Sequence, residues 1–265
     1  MIAITRHIIK QIILLPVPKR QTLPRKKIAP DTAICYSNTI MRNKYLKGMD
    51  LIYEDRDIIV VDKPAGLLTM ASATENEKTA YHILTDYVRK GCAKSPKRVF
   101  IVHRLDKDTS GVVIFAKTEE AKRSLQDQWD TTEKKYLAVV YGKLSEKSGV
   151  ITSYLAENSA YVVYSTKDKT IGKLSTTVYK VLKETRDFSA VEIDLVTGRK
   201  NQIRVHFAEK GHPVVGDTKY GKKDGGHKRM ALHARSISFL HPWSGKRMVL
   251  EAKVPPYFSG LVGNI

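Results

Sequence analysis

The sequence predicts an α+β fold, in which a mixed, largely antiparallel sheet carries flanking helices. Short apolar runs rich in β-branched residues outnumber the segments that have the apolar period of an amphipathic helix. The predicted strands also follow one another irregularly instead of alternating with helices, which disfavours a doubly wound parallel sheet. The 265 residues, 42% of them hydrophobic, suffice for one large domain or two small ones.

The individual elements are predicted from apolar spacing and from the residues that end a helix. A β-branched run over 58–61 predicts a buried strand, and the Lys-Pro-Ala-Gly sequence at 63–66 predicts the turn after it. Apolar residues at helical spacing predict a helix over 79–90, which Gly91 ends. The remaining predictions are helices over 119–129 and 201–209 and strands over 99–102, 111–116, 135–141, 189–196, 231–240 and 247–254.

The charge is strongly positive and unevenly distributed. Lys and Arg total 46 against 27 acidic residues, a net charge of +19. Residues 1–48 hold ten Lys or Arg, one acidic residue and four prolines, which predicts a basic N-terminal arm that is extended or poorly ordered. Such an excess favours a polyanionic partner such as nucleic acid, because phosphate neutralisation releases counterions. A basic, solvated surface, or residues upstream of a start at Met41 or Met49, are the alternatives.

The cysteine count and the hydropathy indicate a compartment. Two cysteines cannot form a disulfide framework or a four-cysteine zinc site, and they fit a reducing cytosol. No apolar run approaches the roughly 20 residues that span a bilayer. We therefore expect a cytoplasmic protein with no membrane association, and nothing in the sequence requires a partner chain, so a monomer is expected.

A dense polar stretch at 103–111 lies between two predicted strands, which would hold it rigidly. Within it Arg104 and Asp106 are two residues apart on an extended segment, so both side chains would point to the same side. The Asp106 carboxylate could act as a nucleophile or as a general acid or base. A routine ion pair between the two residues explains the spacing equally well.

A second polar stretch, at 197–206, places cations at the start of the predicted helix over 201–209. The helix dipole disfavours cations there, so an external or tertiary partner is indicated. Arg199 and Lys200 suit phosphate, and Arg204 could reach inward to a carboxylate. If it met Asp106, it would hold that carboxylate ionised and oriented. The alternative is that all three cations are solvated.

The sequence lacks the motifs that are typical of several classes of enzyme. The eight histidines show no His-x3-His or HExxH spacing, so the sequence does not predict a metal site. No GxGxxG loop is present to hold a nucleotide cofactor, and no GxSxG sequence supports acyl transfer through serine.

Five stretches stand out together: IIVVDKPAGL (58–67), HRLDKDTSGVVIFAKT (103–118), KKYLAVVYG (134–142), LVTGRKNQIRVHFAEKGHPVVGDTKYG (195–221), and LHARSISFLHP with LEAKVP (232–255). In this order they resemble the motifs of the RluA-type pseudouridine synthases, which isomerise uridine in RNA. The resemblance implies the pseudouridine synthase fold with a central catalytic cleft, and a catalytic domain over 49–265. It also implies structured RNA, ribosomal or transfer, as the partner.

The resemblance implies a role for each matching residue. Asp106 matches the nucleophile or covalent catalyst, and Arg204 matches the partner of its carboxylate. Tyr136 matches the tyrosine that packs under the uracil ring and can serve in proton transfer. Arg104 matches the residue that fills the gap left when the target uridine leaves the RNA stack. The family needs no metal or organic cofactor.

Two other functions stay open at this point. A protein with the same fold could bind RNA without catalysis. Asp106 with Asp108 could instead hydrolyse a glycosidic bond through paired carboxylates, although Asp108 lies in a predicted turn.

Overall fold

The computed structural model describes residues 34–35, 46, 48–71, 79–221 and 226–265. Most of the predicted basic arm, 1–48, lies outside the described residues, so its extended or poorly ordered state stays a prediction. The part that is described includes a two-residue strand, Ile34–Cys35, which pairs in parallel with Arg247–Glu251. Leu46, near the end of the arm, is fully buried.

The described residues form twelve strands, four α-helices and one 3₁₀ turn. The strands are β1 (Ile34–Cys35), β2 (Asp50–Glu54), β3 (Ile58–Lys63), β4 (Phe100–Ile101), β5 (Ser110–Ala116), β6 (Glu133–Tyr141), β7 (Ser148–Glu157), β8 (Val163–Thr166), β9 (Lys173–Glu184), β10 (Phe188–Leu195), β11 (Leu232–Leu240) and β12 (Arg247–Glu251). The helices are α1 (Ala80–Arg89), α2 (Glu119–Asp127), α3 (Gln202–Glu209) and α4 (Pro256–Val262), and the 3₁₀ turn is Trp129–Thr131. None of these helices is long and apolar enough to cross a membrane.

All twelve strands belong to one sheet. Its main path runs in the order β2-β3-β5-β11-β6-β10-β9-β7-β8, with β4 paired to β5 and β12 paired to β11 and β1. Every pair is antiparallel except β5 with β11 and β1 with β12. The predicted class, α+β with a mixed and largely antiparallel sheet, is therefore confirmed.

The helices cover both faces of the sheet. Val60 and Ile114 pack on one face with α2, whereas the neighbouring Val61 and Val113 pack on the other face with α1. Because β3 and β5 are buried on both faces, they read in the sequence as continuous apolar runs rather than alternating ones. In the other half of the sheet, β6 packs against α3 on one face and α4 on the other.

The elements that the sequence analysis did not predict are mostly half-exposed. β7 alternates mainly between exposed and half-buried residues and β9 between buried and half-buried ones, and both carry many polar side chains, so they offered no apolar run. β2, β8 and α4 were also missed. The helix predicted over 119–129 ends at Asp127, and the chain continues as a 3₁₀ turn.

One glycine fixes the joint between the two halves of the sheet. Gly111 in β5 pairs with Lys63 of β3 and with Ala234 of β11, and its φ of +117° is one that L side chains rarely adopt. A Cβ atom at this position would lie 2.2 Å from the carbonyl oxygen of Ala234. The close approach places the polar loop at 103–109 against β11 and β6.

Candidate active site

A cavity of about 290 Å³ opens where the loop at 103–109, strand β6 and the start of α3 meet. The polar residues that line it include Arg104, Asp106, Tyr136, Arg199, Asn201 and Arg204. A concave site with few, convergent polar groups is the usual form of a ligand or active site. The two polar stretches of the sequence analysis therefore meet in one place.

A buried lysine holds the loop that carries Asp106. The Lys63 ammonium donates hydrogen bonds to the carbonyl oxygens of Pro64 (2.9 Å), Leu67 (2.7 Å) and Lys107 (3.1 Å). Burial lowers the pKa of Lys63 to about 8, although the negative charges of Asp108 and Asp106 act to raise it. These three contacts give Lys63 a structural role, because they join the turn after β3 to the loop that carries Asp106.

Two further side chains fix the backbone of the loop. Thr69 Oγ1 donates to the carbonyl oxygen of Leu105 at 2.9 Å and accepts from its amide at 3.1 Å. His103 Nε2 accepts from the amide of Ile114, and the imidazole lies 4.6 Å from the ring of Trp129. Burial, with the nearby Lys134, lowers the pKa of His103 to about 3, so the imidazole stays neutral and can accept this hydrogen bond. The loop is thus rigid before any ligand binds.

The Asp106 carboxylate faces the cavity. Its side chain is 27% exposed, and its Oδ2 lies 3.4 Å from Nη1 of Arg204. A 3.4 Å separation is long for a charge-assisted hydrogen bond, so this contact is weak. Of the two alternatives left open by the sequence, an Arg204 that reaches inward to a carboxylate and an Arg204 that is solvated, this contact agrees with the first.

Arg204 is held mainly by a residue that the sequence analysis did not identify. Its Nε and Nη2 donate to the two carboxylate oxygens of Asp217 at 2.7 and 2.8 Å, and its Nη1 donates to Asn201 Oδ1 at 3.1 Å. Burial by itself would lower the pKa of Arg204, but Asp217, followed by Asp106, raises it. The guanidinium is therefore permanently charged and fixed.

Asp217 is itself fully buried and fixed by the turn that follows it. Its Oδ1 accepts from the amides of Lys219 and Tyr220 at 2.9 and 3.0 Å. The ring of Tyr220 lies 5.1 Å from the Arg204 guanidinium carbon. An aspartate after glycine does predict a turn, but nothing local showed that the carboxylate faces Arg204.

Tyr136 lies in β6 and joins the two halves of the sheet. Its ring packs against one core cluster in each half of the sheet. Burial, together with the charge of Asp106, raises the pKa of Tyr136 well above its ordinary value. The phenol is thus protonated at every physiological pH and is available as a hydrogen-bond donor.

The three predicted substrate-binding cations differ in their surroundings. Arg104 and Arg199 line the cavity with exposed side chains, and neither forms an ion pair with a carboxylate in the described part of the chain. Lys200 does not line the cavity. Its ammonium pairs with Glu157 and lies 5.4 Å from the centroid of the Tyr161 ring.

One group among the described residues has the spacing of a metal site: Asp55, Asp57 and His241. Asp55 already accepts hydrogen bonds from the amides of Asp57 and Ile58 and pairs with His241 Nε2 at 2.7 Å. These contacts connect the turn between β2 and β3 to the end of β11. They account for the group without an ion.

The RNA pseudouridylate synthase family matches residues 57–209. The match is more than half of the chain and includes the loop, β6 and α3. The chain belongs to the RNA pseudouridine synthase family. Members of this family isomerise uridine in RNA to pseudouridine, so the protein is an isomerase of this class. The resemblance seen in the sequence motifs is thereby confirmed.

Individual relatives agree with this assignment. An uncharacterized RNA pseudouridine synthase of Bacillus subtilis, YlyB, is 35% identical over 223 residues, 82% of this chain and 73% of the relative. The ribosomal large subunit pseudouridine synthase C of Rickettsia bellii is 37% identical over 239 residues, 88% of this chain and 77% of the relative. The solved structure of human RNA pseudouridylate synthase domain containing 1 is 26% identical with a TM-score of 0.66, covering 83% of this chain and 89% of that one.

Proposed function

We propose that this pseudouridine synthase modifies specific uridines in structured RNA, ribosomal or transfer, with Asp106 as the catalytic carboxylate. The observation that supports this most is the meeting of Asp106, Arg204 and Tyr136 around one cavity. The name of the Rickettsia relative favours large-subunit ribosomal RNA as the first substrate to test.

The proposed reaction balances without any added reagent. The bond between uracil N1 and the sugar C1′ breaks, the base turns, and a new bond joins C5 to C1′. The proton on C5 leaves and N1 gains one, so the product is an isomer of the substrate. Bond cleavage develops positive character at C1′, which the Asp106 carboxylate would trap or stabilise.

The other residues take supporting roles in the proposal. Arg204 orients Asp106 through the contact between its Nη1 and the carboxylate, while Tyr136 contacts the uracil ring and donates or relays a proton. Arg104 would occupy the gap left by the everted nucleotide, which costs a few kcal/mol to extrude. Arg199 and Lys200 would contact phosphates of the RNA.

The hydrolytic alternative has less support. Asp108 is exposed and does not line the cavity, so it makes no carboxylate pair with Asp106 across a bound sugar.

We further propose that residues 49–265 form the catalytic domain, and that the protein acts as a monomer in the cytoplasm without a cofactor.

Pseudouridine mapping tests this proposal. Unmodified transcripts of ribosomal and transfer RNA would be incubated with the protein and with its Asp106→Asn variant. We expect new pseudouridines at a small number of uridines with the unchanged protein and at none with the variant. RNA that binds the unchanged protein but stays unmodified would instead indicate a non-catalytic binding protein, and release of free uracil would indicate hydrolysis.

A further inference from the structure

An exposed tyrosine stands at the turn between β7 and β8. Tyr161 is 71% exposed and has a φ of +59°, in the left-handed region. This conformation is uncommon for a bulky residue and costs free energy, so it persists only where the surroundings enforce it. An aromatic side chain in such a turn has no role in the core.

Hydrogen bonds enforce the turn. Asn158 Oδ1 accepts from the amides of Ala160 and Val162, and the amide of Tyr161 donates to the Asn158 carbonyl oxygen at 2.9 Å. From outside the turn, the Lys219 ammonium donates to the carbonyl oxygen of Tyr161 at 2.7 Å. The exposed ring is therefore carried by a fixed backbone.

A short series of contacts connects this turn to the active site. The hydroxyl of Tyr220 accepts from the amide of Val163, at the start of β8, and from Asn201 Nδ2. The same Tyr220 ring lies against the guanidinium of Arg204, which contacts Asp106. Tyr220 thus connects the end of this turn to Asn201 and Arg204, which both line the cavity. The turn therefore lies beside the cavity.

The cations around Tyr161 are those expected next to bound RNA. The Lys200 ammonium, which also pairs with Glu157, lies 5.4 Å from the centroid of the Tyr161 ring, and the Lys219 ammonium donates to the Tyr161 carbonyl oxygen. Arg199, at the edge of the cavity, is exposed next to Lys200. An exposed aromatic ring beside lysines is the combination with which proteins hold single-stranded nucleic acid.

We infer that the Tyr161 ring is a stacking platform for an unpaired base adjacent to the target uridine, with Lys200 and Lys219 contacting the adjoining phosphates. The inference rests on the proposed function, since it concerns the RNA that enters the same site. Extruding the target unstacks its neighbours, and an aromatic ring fixed beside the cavity would replace the lost stacking for one of them. Every base has a π-face, so this contact selects for an unpaired neighbour rather than for its identity.

Two substitutions at Tyr161 distinguish the contribution of the aromatic ring from that of the left-handed backbone. Tyr161→Phe keeps the ring and removes only the hydroxyl, whereas Tyr161→Asn removes the ring but suits a left-handed backbone. The control is Trp243→Asn, which removes another exposed ring, at the β11–β12 turn. Thermal unfolding of the three variants should show no loss of Tm relative to the unchanged protein.

The measurement is the release of tritium from an unmodified large-subunit ribosomal RNA transcript labelled at C5 of uridine, since forming pseudouridine removes the C5 hydrogen. We expect Tyr161→Asn to raise KM about tenfold with kcat unchanged, because stacking of one base typically contributes about 1–3 kcal/mol. Tyr161→Phe and Trp243→Asn should keep the KM of the unchanged protein.

An unchanged KM in Tyr161→Asn, or an equal rise in Trp243→Asn, would overturn the inference while leaving the proposed function intact. If the unchanged protein released no tritium from ribosomal or transfer RNA transcripts, the proposed function would itself be overturned, and the inference with it. The two failures are therefore distinguishable in one set of assays.

Discussion

Asp217 holds Arg204 through two hydrogen bonds of 2.7 and 2.8 Å, whereas Arg204 reaches Asp106 only at 3.4 Å. The buried Asp217 therefore determines where the guanidinium lies, and Asp106, the proposed catalytic carboxylate, is contacted only loosely. In the proposed reaction this arrangement would leave the Asp106 carboxylate free to react, because Asp106 has no bidentate partner of its own.

The first prediction concerns the pair of hydrogen bonds between Asp217 and Arg204. Asp217→Asn should lower kcat by about ten- to a hundredfold, because a small misplacement of a catalytic group is costly. It should also destabilise the fold by about 3–5 kcal/mol, since it leaves the Arg204 charge buried with a weaker partner. Tritium release and chemical denaturation measure the two effects. Glu119→Gln, which breaks an exposed pair with Arg123, is the control and should change neither.

The second prediction concerns proton transfer at Tyr136. Tyr136→Phe keeps the ring that packs between the two halves of the sheet and removes the hydroxyl whose pKa burial raises. We expect kcat to fall about a hundredfold while the Kd for RNA changes little. Equal turnover in the two proteins would argue against any role of the hydroxyl in the reaction.

The third prediction uses the close approach at Gly111. Gly111→Ala should destabilise the protein by at least about 2 kcal/mol, because the new methyl group meets the Ala234 carbonyl and the backbone φ is unfavourable. Gly198→Ala is the matched control, since a Cβ there meets nothing within 4 Å. Denaturation curves that coincide for the two variants would contradict the described packing of β5 on β11.

The fourth prediction concerns pH. Burial and the facing Asp50 raise the pKa of Asp62 from 3.8 to about 7. The folded state therefore binds more protons than the unfolded state between these values, so this carboxyl makes stability fall as pH rises through that window. Asp62→Asn should have a Tm that exceeds that of the unchanged protein increasingly between pH 4 and 7. A constant difference in Tm would show that Asp62 ionises normally.

The parts of the site that could be predicted from the sequence are those determined locally. The spacing of Arg104 and Asp106 on an extended segment predicted that both point to the same side, and the position of Arg204 on the first turn of a helix made an inward orientation one of two alternatives. The partnership of Arg204 with Asp217 could not be predicted, because it depends on where the turn after Val215 returns against α3. Strands β7 and β9 were missed for a related reason. Polar residues lie on both faces of each strand, so no apolar alternation marks them, and their strand structure depends on pairing with neighbouring strands.

The central claim is that Asp106 is the catalytic carboxylate, and Asp106→Asn tests it most directly. The variant and the unchanged protein would be compared for tritium release from ribosomal and transfer RNA transcripts and for RNA affinity in the same buffer. We expect the variant to bind RNA with a similar Kd and to release no tritium. Turnover by the variant at the rate of the unchanged protein would contradict the account.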